Sequence, residues 1–250
     1  MIVLKTSREL SFMRNAGRVS SRALKLAGEM VEPGVSTWEI DRAARRYIEE
    51  QGAKPTFLGY GGFPASACIS VNDVVIHGIP HKGTIIKQGD IVSIDIGATF
   101  EGFVGDNAWT FPCGDVSHEA QALMDATRES LFEGIKAATA GHRIGDVGSA
   151  VQRYAEARGY SVVRDFVGHG VGAKMHEDPS VPNYGTPGRG VRLLPGMTIA
   201  IEPMINQGVK EVKTLADGWT TVTADGKLSA HFEHSIAITP DGPVILTLPD

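Results

Sequence analysis

The chain has 250 residues, 42% of them apolar and 21% charged, with a net charge of -5. That length can bury a sizeable core, and the composition is that of an ordinary globular domain rather than a disordered or fibrous chain. The mild acidity argues against charge-driven nucleic-acid binding, and two cysteines, Cys68 and Cys113, supply no disulfide framework. No segment approaches ~18 consecutive apolar residues, and MIVLKTSREL lacks the apolar core of a secretory signal. A cytoplasmic protein that needs neither membrane nor nucleic acid is therefore expected.

Taken in chain order, Ser7 or Thr6 can cap a first helix whose apolar positions Leu10, Met13, Ala16, Val19, Ala23, Leu24, Ala27 and Met30 keep helical spacing until Pro33-Gly34 stops it. Thr37 is placed to cap a second helix with the stripe Ile40, Ala43, Ala44, Tyr47 and Ile48, closed by Gly52. Strands follow around Cys68–Ser70, Val74–His77, Ile91–Ile96 and Val104–Phe111. A second helix pair is expected near Ser117–Thr139 and Asp146–Ala157, with strands resuming from Ser161. No low-complexity linker interrupts the chain. The expectation is a single α+β catalytic domain over residues 1–250, with helix pairs packed outside one continuous curved antiparallel sheet.

An internal repeat supports two related halves. PGVSTWEIDRAARRYIEEQG, starting at Pro33, aligns with AGHRIGDVGSAVQRYAEARG, starting at Ala140, at an offset of 107. The offset also carries Asp95 in QGDIVSIDIG onto Glu202 in PGMTIAIEPM. It then fails, because the next isolated acidic residue in a strand pattern is Glu233, so the second half carries a longer loop around Asn206 to Leu228. Two copies imply a pseudo-two-fold domain with its site on the axis.

Asp95, Asp106, His169, Glu202 and Glu233 lie in apolar or glycine-rich strands, where a carboxylate is costly unless paired or coordinated. Arginine, lysine or backbone partners explain many such groups taken singly. As a set, four carboxylates would be balanced by two divalent cations, with a neutral imidazole completing the ligands. A hairpin loop centred between Phe100 and Glu101 sets Asp95 directly opposite Asp106, where like charges repel unless a cation bridges them.

His77, ending VNDVVIH, and His176, in MHEDP, stand near this set and suit donors to a scissile amide and its oxyanion. His81, His118, His142, His231 and His234 lack such a context and are read as structural; alternation points His234 away from Glu233. Phe57, Tyr60, Phe63, Cys68, Met175 and Trp219 can line an apolar pocket, although core packing is the simpler reading of any one of them.

GDIVSIDIG, GFVGD, GHGVG, IAIEPM and HFEHSIAI, together with VNDVVIHGIP and MHEDP, resemble the type I methionine aminopeptidases, over nearly the whole chain and in their short bacterial form. The resemblance implies a pita-bread fold with a dinuclear metal site at its centre. It implies a monomeric hydrolase that removes the initiator methionine from nascent chains whose second residue is small, working near the ribosome exit region. Asp95, Asp106 and Glu233 would hold one metal, and Asp106, His169, Glu202 and Glu233 the other, with Glu202 also shuttling a proton beside His77 and His176. Co, Mn, Fe and Zn all suit such a shell. Two rival readings remain. Xaa-Pro enzymes share the five ligands but resemble longer chains, and non-catalytic binding modules of this fold lose them. Gly97 and Asn107 stand where related sequences often have threonine, Met175 where phenylalanine is common, and Phe57 where cysteine can occur.

Overall fold

The computed structural model describes residues 1–249. In the first half, α1 (Ser7–Glu29) and α2 (Thr37–Glu50) precede β1 (Lys54–Pro55), β2 (Cys68–Val71), β3 (Val74–Ile76), β4 (Ile91–Phe100) and β5 (Phe103–Pro112). In the second, α3 (His118–Ala137) and α4 (Ile144–Glu156) precede β6 (Ser161–Val162), β7 (Gly168–Gly170), β8 (Glu177–Val181) and β9 (Thr198–Ile201). The chain closes with β10 (Met204–Asn206), β11 (Val212–Thr214), β12 (Thr221–Thr223), β13 (Ser229–His231), β14 (Glu233–Thr239) and β15 (Gly242–Ile245).

Helix starts follow their capping chemistry. Thr6 caps α1 reciprocally with Glu9. For α2 the cap is Ser36, not Thr37: Ser36 Oγ accepts from Glu39 N while Glu39 Oε2 accepts from Ser36 N at 2.9 Å. Thr37 already belongs to the helix, and its hydroxyl bonds the His81 backbone. The fourth helix likewise begins at Ile144, two residues before Asp146, whose carboxylate accepts from Arg143 N.

The repeat is physically real. Ser36 bridges to Ile85 and Arg143 to Arg192, one offset of 107 apart. Thr37 N reaches Thr84 O at 3.0 Å, and Ile144 N reaches Val191 O at 2.9 Å. The left-handed turns recur as well, Gly34 with Gly141 and Gly52 with Gly159.

The expected single sheet is divided. Nine strands form the main antiparallel sheet, in the path β1-β4-β5-β14-β9-β7-β8 with β2 on β4 and β15 on β14, while β13-β10-β6 and β11-β12-β3 form two smaller sheets. Pro203, which has no N–H to give a ladder, lies two residues past the end of β9. The extra loop of the second half is the β11–β12 hairpin, which pairs with β3 of the first half and sets Trp219 over the central cavity.

Alternation along the central strands separates core from site. Val92, Ile94, Ile96 and Ala98 of β4 pack against Val19, Ala23 and Leu24 of α1 and Ile40, Ala44 and Ile48 of α2. Ile199, Ile201, Ile236 and Ile238 meet Leu123, Met124 and Leu131 of α3 and Val147 and Val151 of α4. Burying each such side chain contributes roughly 1.5–3 kcal/mol. The helix layer sits very close to the sheet at Gly105, where a Cβ would stand 2.5 Å from the backbone of Gly17. The odd-numbered residues of β4 and β14 face the opposite side.

Candidate active site and metal centre

One transverse row of the sheet builds much of the site. Cys68 of β2 pairs with Asp95 of β4, Asp95 with Ala108 of β5, and Ala108 with Glu233 of β14, so all four side chains share a face. Asp106 lies two residues from Ala108 on that face. It is opposite Gly97, not Asp95. The hairpin loop is centred one residue later than expected because Glu101 and Gly102 both take positive φ, 51° and 82°, forming the tight two-residue turn. A two-residue change in pairing keeps the face, so Asp95 and Asp106 are diagonal neighbours. The direct opposition falls in the other half: His234 pairs with Ile201, and one step further the same register brings Glu202 opposite Glu233.

The remaining candidate ligand comes from β7. His169 Nε2 is 3.5 Å from Asp106 Oδ2 and 3.5 Å from Glu202 Oε1. Its Nδ1 lies 2.9 Å from Gly170 O; as the N–H donor there, Nδ1 leaves the Nε2 lone pair directed at the carboxylates. Among the described residues, Asp106, His169 and Glu233 form the compact donor group, with ligand atoms within 4.8 Å of one another. Asp95 and Glu202 line the same cavity beside them.

Asp95 Oδ1, Asp106 Oδ1 and Glu233 Oε1 are shielded from solvent and have no hydrogen-bond partner. Burial pushes the Asp95 carboxyl up to about 8. Burial also raises Asp106, Glu202 and Glu233 well above the usual carboxylate range, with neighbouring negative charge adding to it in each case. The imidazoles move the other way. Burial holds His77 and His169 down to about 4 and His231 down to about 3. Orphaned buried oxygens converging on a neutral imidazole are the donor set a divalent cation requires, and among the described residues that line the cavity none is a lysine or arginine.

The cavity beside this cluster encloses about 220 Å³. Every candidate residue from the sequence lines it: His77 and His176 together with Phe57, Tyr60, Phe63, Cys68, Met175 and Trp219. Tyr60 Oη lies 2.6 Å from His176 Nδ1, and the rings of His176 and His169 are 4.2 Å apart. His77 stacks edge-on against Phe166 and Trp219 from a backbone φ of 57°, a strained position for a residue other than glycine. Phe166 and Val167 also line the cavity, and nothing in the sequence sets them apart from ordinary apolar residues.

Three further placements bear on the sequence reading. His231 is not remote: its Nε2 is buried, has no hydrogen-bond partner and lies 3.9 Å from Glu202 Oε2. Its spacing, two residues before Glu233, is the pattern that points to it. His234 does point away, and its Nδ1 bonds Thr247 Oγ1 at 2.9 Å. Asn107, opposite Ile96 and His234, faces the helices rather than the site, whereas a Cβ on Gly97 would lie 2.6 Å from the Phe57 ring. Phe57 thus fills the space that a side chain at position 97 would need.

A sheet that gathers buried carboxylates and one imidazole beneath an apolar cavity is suited to a metal-binding centre. The chain belongs to metallopeptidase family M24, whose match spans residues 11–240. It is 55% identical over 248 residues to a methionine aminopeptidase of Clostridium perfringens and 52% identical over 247 residues to methionine aminopeptidase 1 of Bacillus subtilis, covering 99% of each chain in both cases. A crystal structure of the methionine aminopeptidase of Thermotoga maritima superposes with a TM-score of 0.97 at 45% identity, covering 99% of both chains. The architecture is the pita-bread fold. A prolidase from Pyrococcus horikoshii shares that fold at a TM-score of 0.81 and 22% identity, and this chain covers 65% of it.

Proposed function

We propose that this protein is a metal-dependent aminopeptidase that hydrolytically removes N-terminal methionine from polypeptides. The observation that carries the reading is the cluster of unpartnered buried carboxylate oxygens beside an apolar cavity of side-chain size. Asp95, Asp106, His169, Glu202 and Glu233 would hold the metal. Two divalent ions, from among Co, Mn, Fe and Zn, match the four carboxylate charges. When bound, such ions supply Lewis acidity toward the scissile carbonyl and a water acidic enough to attack near neutral pH.

The chain's own groups do the rest. Tyr60, Phe63, Cys68 and Trp219, with Phe57 and Met175, enclose the unbranched methionine side chain in soft apolar contacts. The free α-amine of the substrate is drawn toward the carboxylates at Asp95. His77 and His176 are neutral at pH 7, because burial lowers both, so each has one N–H to donate to the amide as the carbonyl becomes tetrahedral. Glu202, on the cavity wall, takes and returns a proton. The physiological substrates on this reading are nascent chains with a small second residue, met by a monomeric enzyme near the ribosome exit in the cytoplasm. No helix among the described residues is long and apolar enough to cross a membrane.

His176→Ala tests the division of labour. It is expected to lower kcat by at least about tenfold with bound metal unchanged. Loss of metal together with activity would move His176 into the ligand set.

A further inference from the structure

His176 is held by a loop with an unusual backbone. Tyr60 sits among Gly59, Gly61 and Gly62, at φ of 82°, 58° and 91°, conformations that favour glycine. The turn they make carries the tyrosine to the cavity mouth, where it is 45% exposed, so its ring is not there as core filling. Its hydroxyl instead meets His176 Nδ1 at 2.6 Å, with the ring planes inclined at 42°. Among the described residues this is the one hydrogen bond to the His176 ring, whose side packs against His169.

We propose that Tyr60 is a positioning residue that sets the tautomer of His176. A neutral imidazole has one N–H and one acceptor nitrogen, and a tyrosine hydroxyl has one O–H to donate. With Tyr60 O–H donating to Nδ1, the single imidazole proton sits on Nε2, the nitrogen left to donate to substrate. The opposite wiring, Nδ1–H donating to the phenol oxygen, would leave Nε2 an acceptor with nothing to offer a developing oxyanion. The hydrogen bond also fixes the plane of a ring that packs against His169. A phenylalanine could make the same apolar wall at position 60 but could not choose between the two wirings.

This rests on the reading of His176 as a donor to substrate, and its test separates the two. In zinc-loaded protein labelled with ¹⁵N-histidine, the His176 resonances, assigned by loss in His176→Gln, are expected to show an unprotonated, hydrogen-bonded Nδ1 and a protonated Nε2. Tyr60→Phe is expected to shift the Nδ1 resonance away from its hydrogen-bonded value and to lower kcat on Met-Ala-Ser about three- to tenfold with KM nearly unchanged. A protonated Nδ1 in the wild type overturns the proposal, and so does Tyr60→Phe with unaltered resonances and kcat. If the wiring is as expected but His176→Ala, which has no side-chain donor, retains full turnover, it is the donor role of His176 that fails.

Discussion

Stripping the metal from this protein should make its stability fall as pH rises through 7 to 8. The folded Asp95 carboxyl is pushed up from 3.8 to about 8, so between those values the metal-free folded state keeps a proton that the unfolded chain has lost. A group whose folded pKa is raised favours folding at low pH and loses that advantage as pH climbs toward the folded value. The buried histidines act with the opposite sign. Their folded pKa values are lowered, so the stability they withhold returns as pH rises toward 6.5. Above pH 7 the histidines are largely neutral in both states, and the carboxylates set the slope. Asp95 alone then removes about 1 kcal/mol between pH 7 and pH 8, and Asp106, Glu202 and Glu233, all raised, add to it. For a chain of this size that is a fall in Tm of at least about 2–4 °C. The assay is thermal unfolding of chelator-stripped protein at pH 7.0, 7.5 and 8.0 beside metal-loaded protein. Loading should release protons and flatten the dependence. A stripped protein whose Tm is flat or rises over that interval would refute the reasoning, because the buried oxygens would then be balanced by something other than protons.

Two other perturbations follow from contacts around the site. Lys5 reaches across the fold to Glu177, beside His176, at 2.6 Å, with side chains 3% and 14% exposed. Lys5→Met leaves a buried charge unpaired and should cost about 3–5 kcal/mol in chemical denaturation; a loss below about 1 kcal/mol would mean the pair is solvated. Gly97→Thr should drive the Phe57 ring from its place and lower kcat/KM on Met-Ala-Ser by about tenfold or more, with Phe57→Cys restoring most of the loss in the double variant. Additive effects of the two substitutions would contradict the contact.

The repeat makes Asp95 and Glu202 readable as equivalent from the amino-acid order alone, and the same offset governs the bridges Ser36↔Ile85 and Arg143↔Arg192. Alternation places His234 behind the sheet, where it lies. Register is less legible. The composition of the loop allows two centres, and only the positive φ of Glu101 decides that Asp106 faces Gly97. The partner of the β11–β12 hairpin is not legible at all, since an exposed strand pattern does not name its partner edge. The Tyr60 contact to His176 and the Phe57 contact to Gly97 join residues far apart in the chain, and local patterning carries no trace of either. His231 escapes a reading that weighs each histidine by its apolar neighbours and not by its spacing from Glu233.

The most direct measurement is methionine release from Met-Ala-Ser by chelator-stripped protein, with and without added Mn(II) or Co(II), beside Leu-Ala-Ser and Met-Pro-Ala. The expected result is release from Met-Ala-Ser alone, restored by metal. Preference for Met-Pro-Ala, or no release from a protein that has taken up metal, would contradict the account.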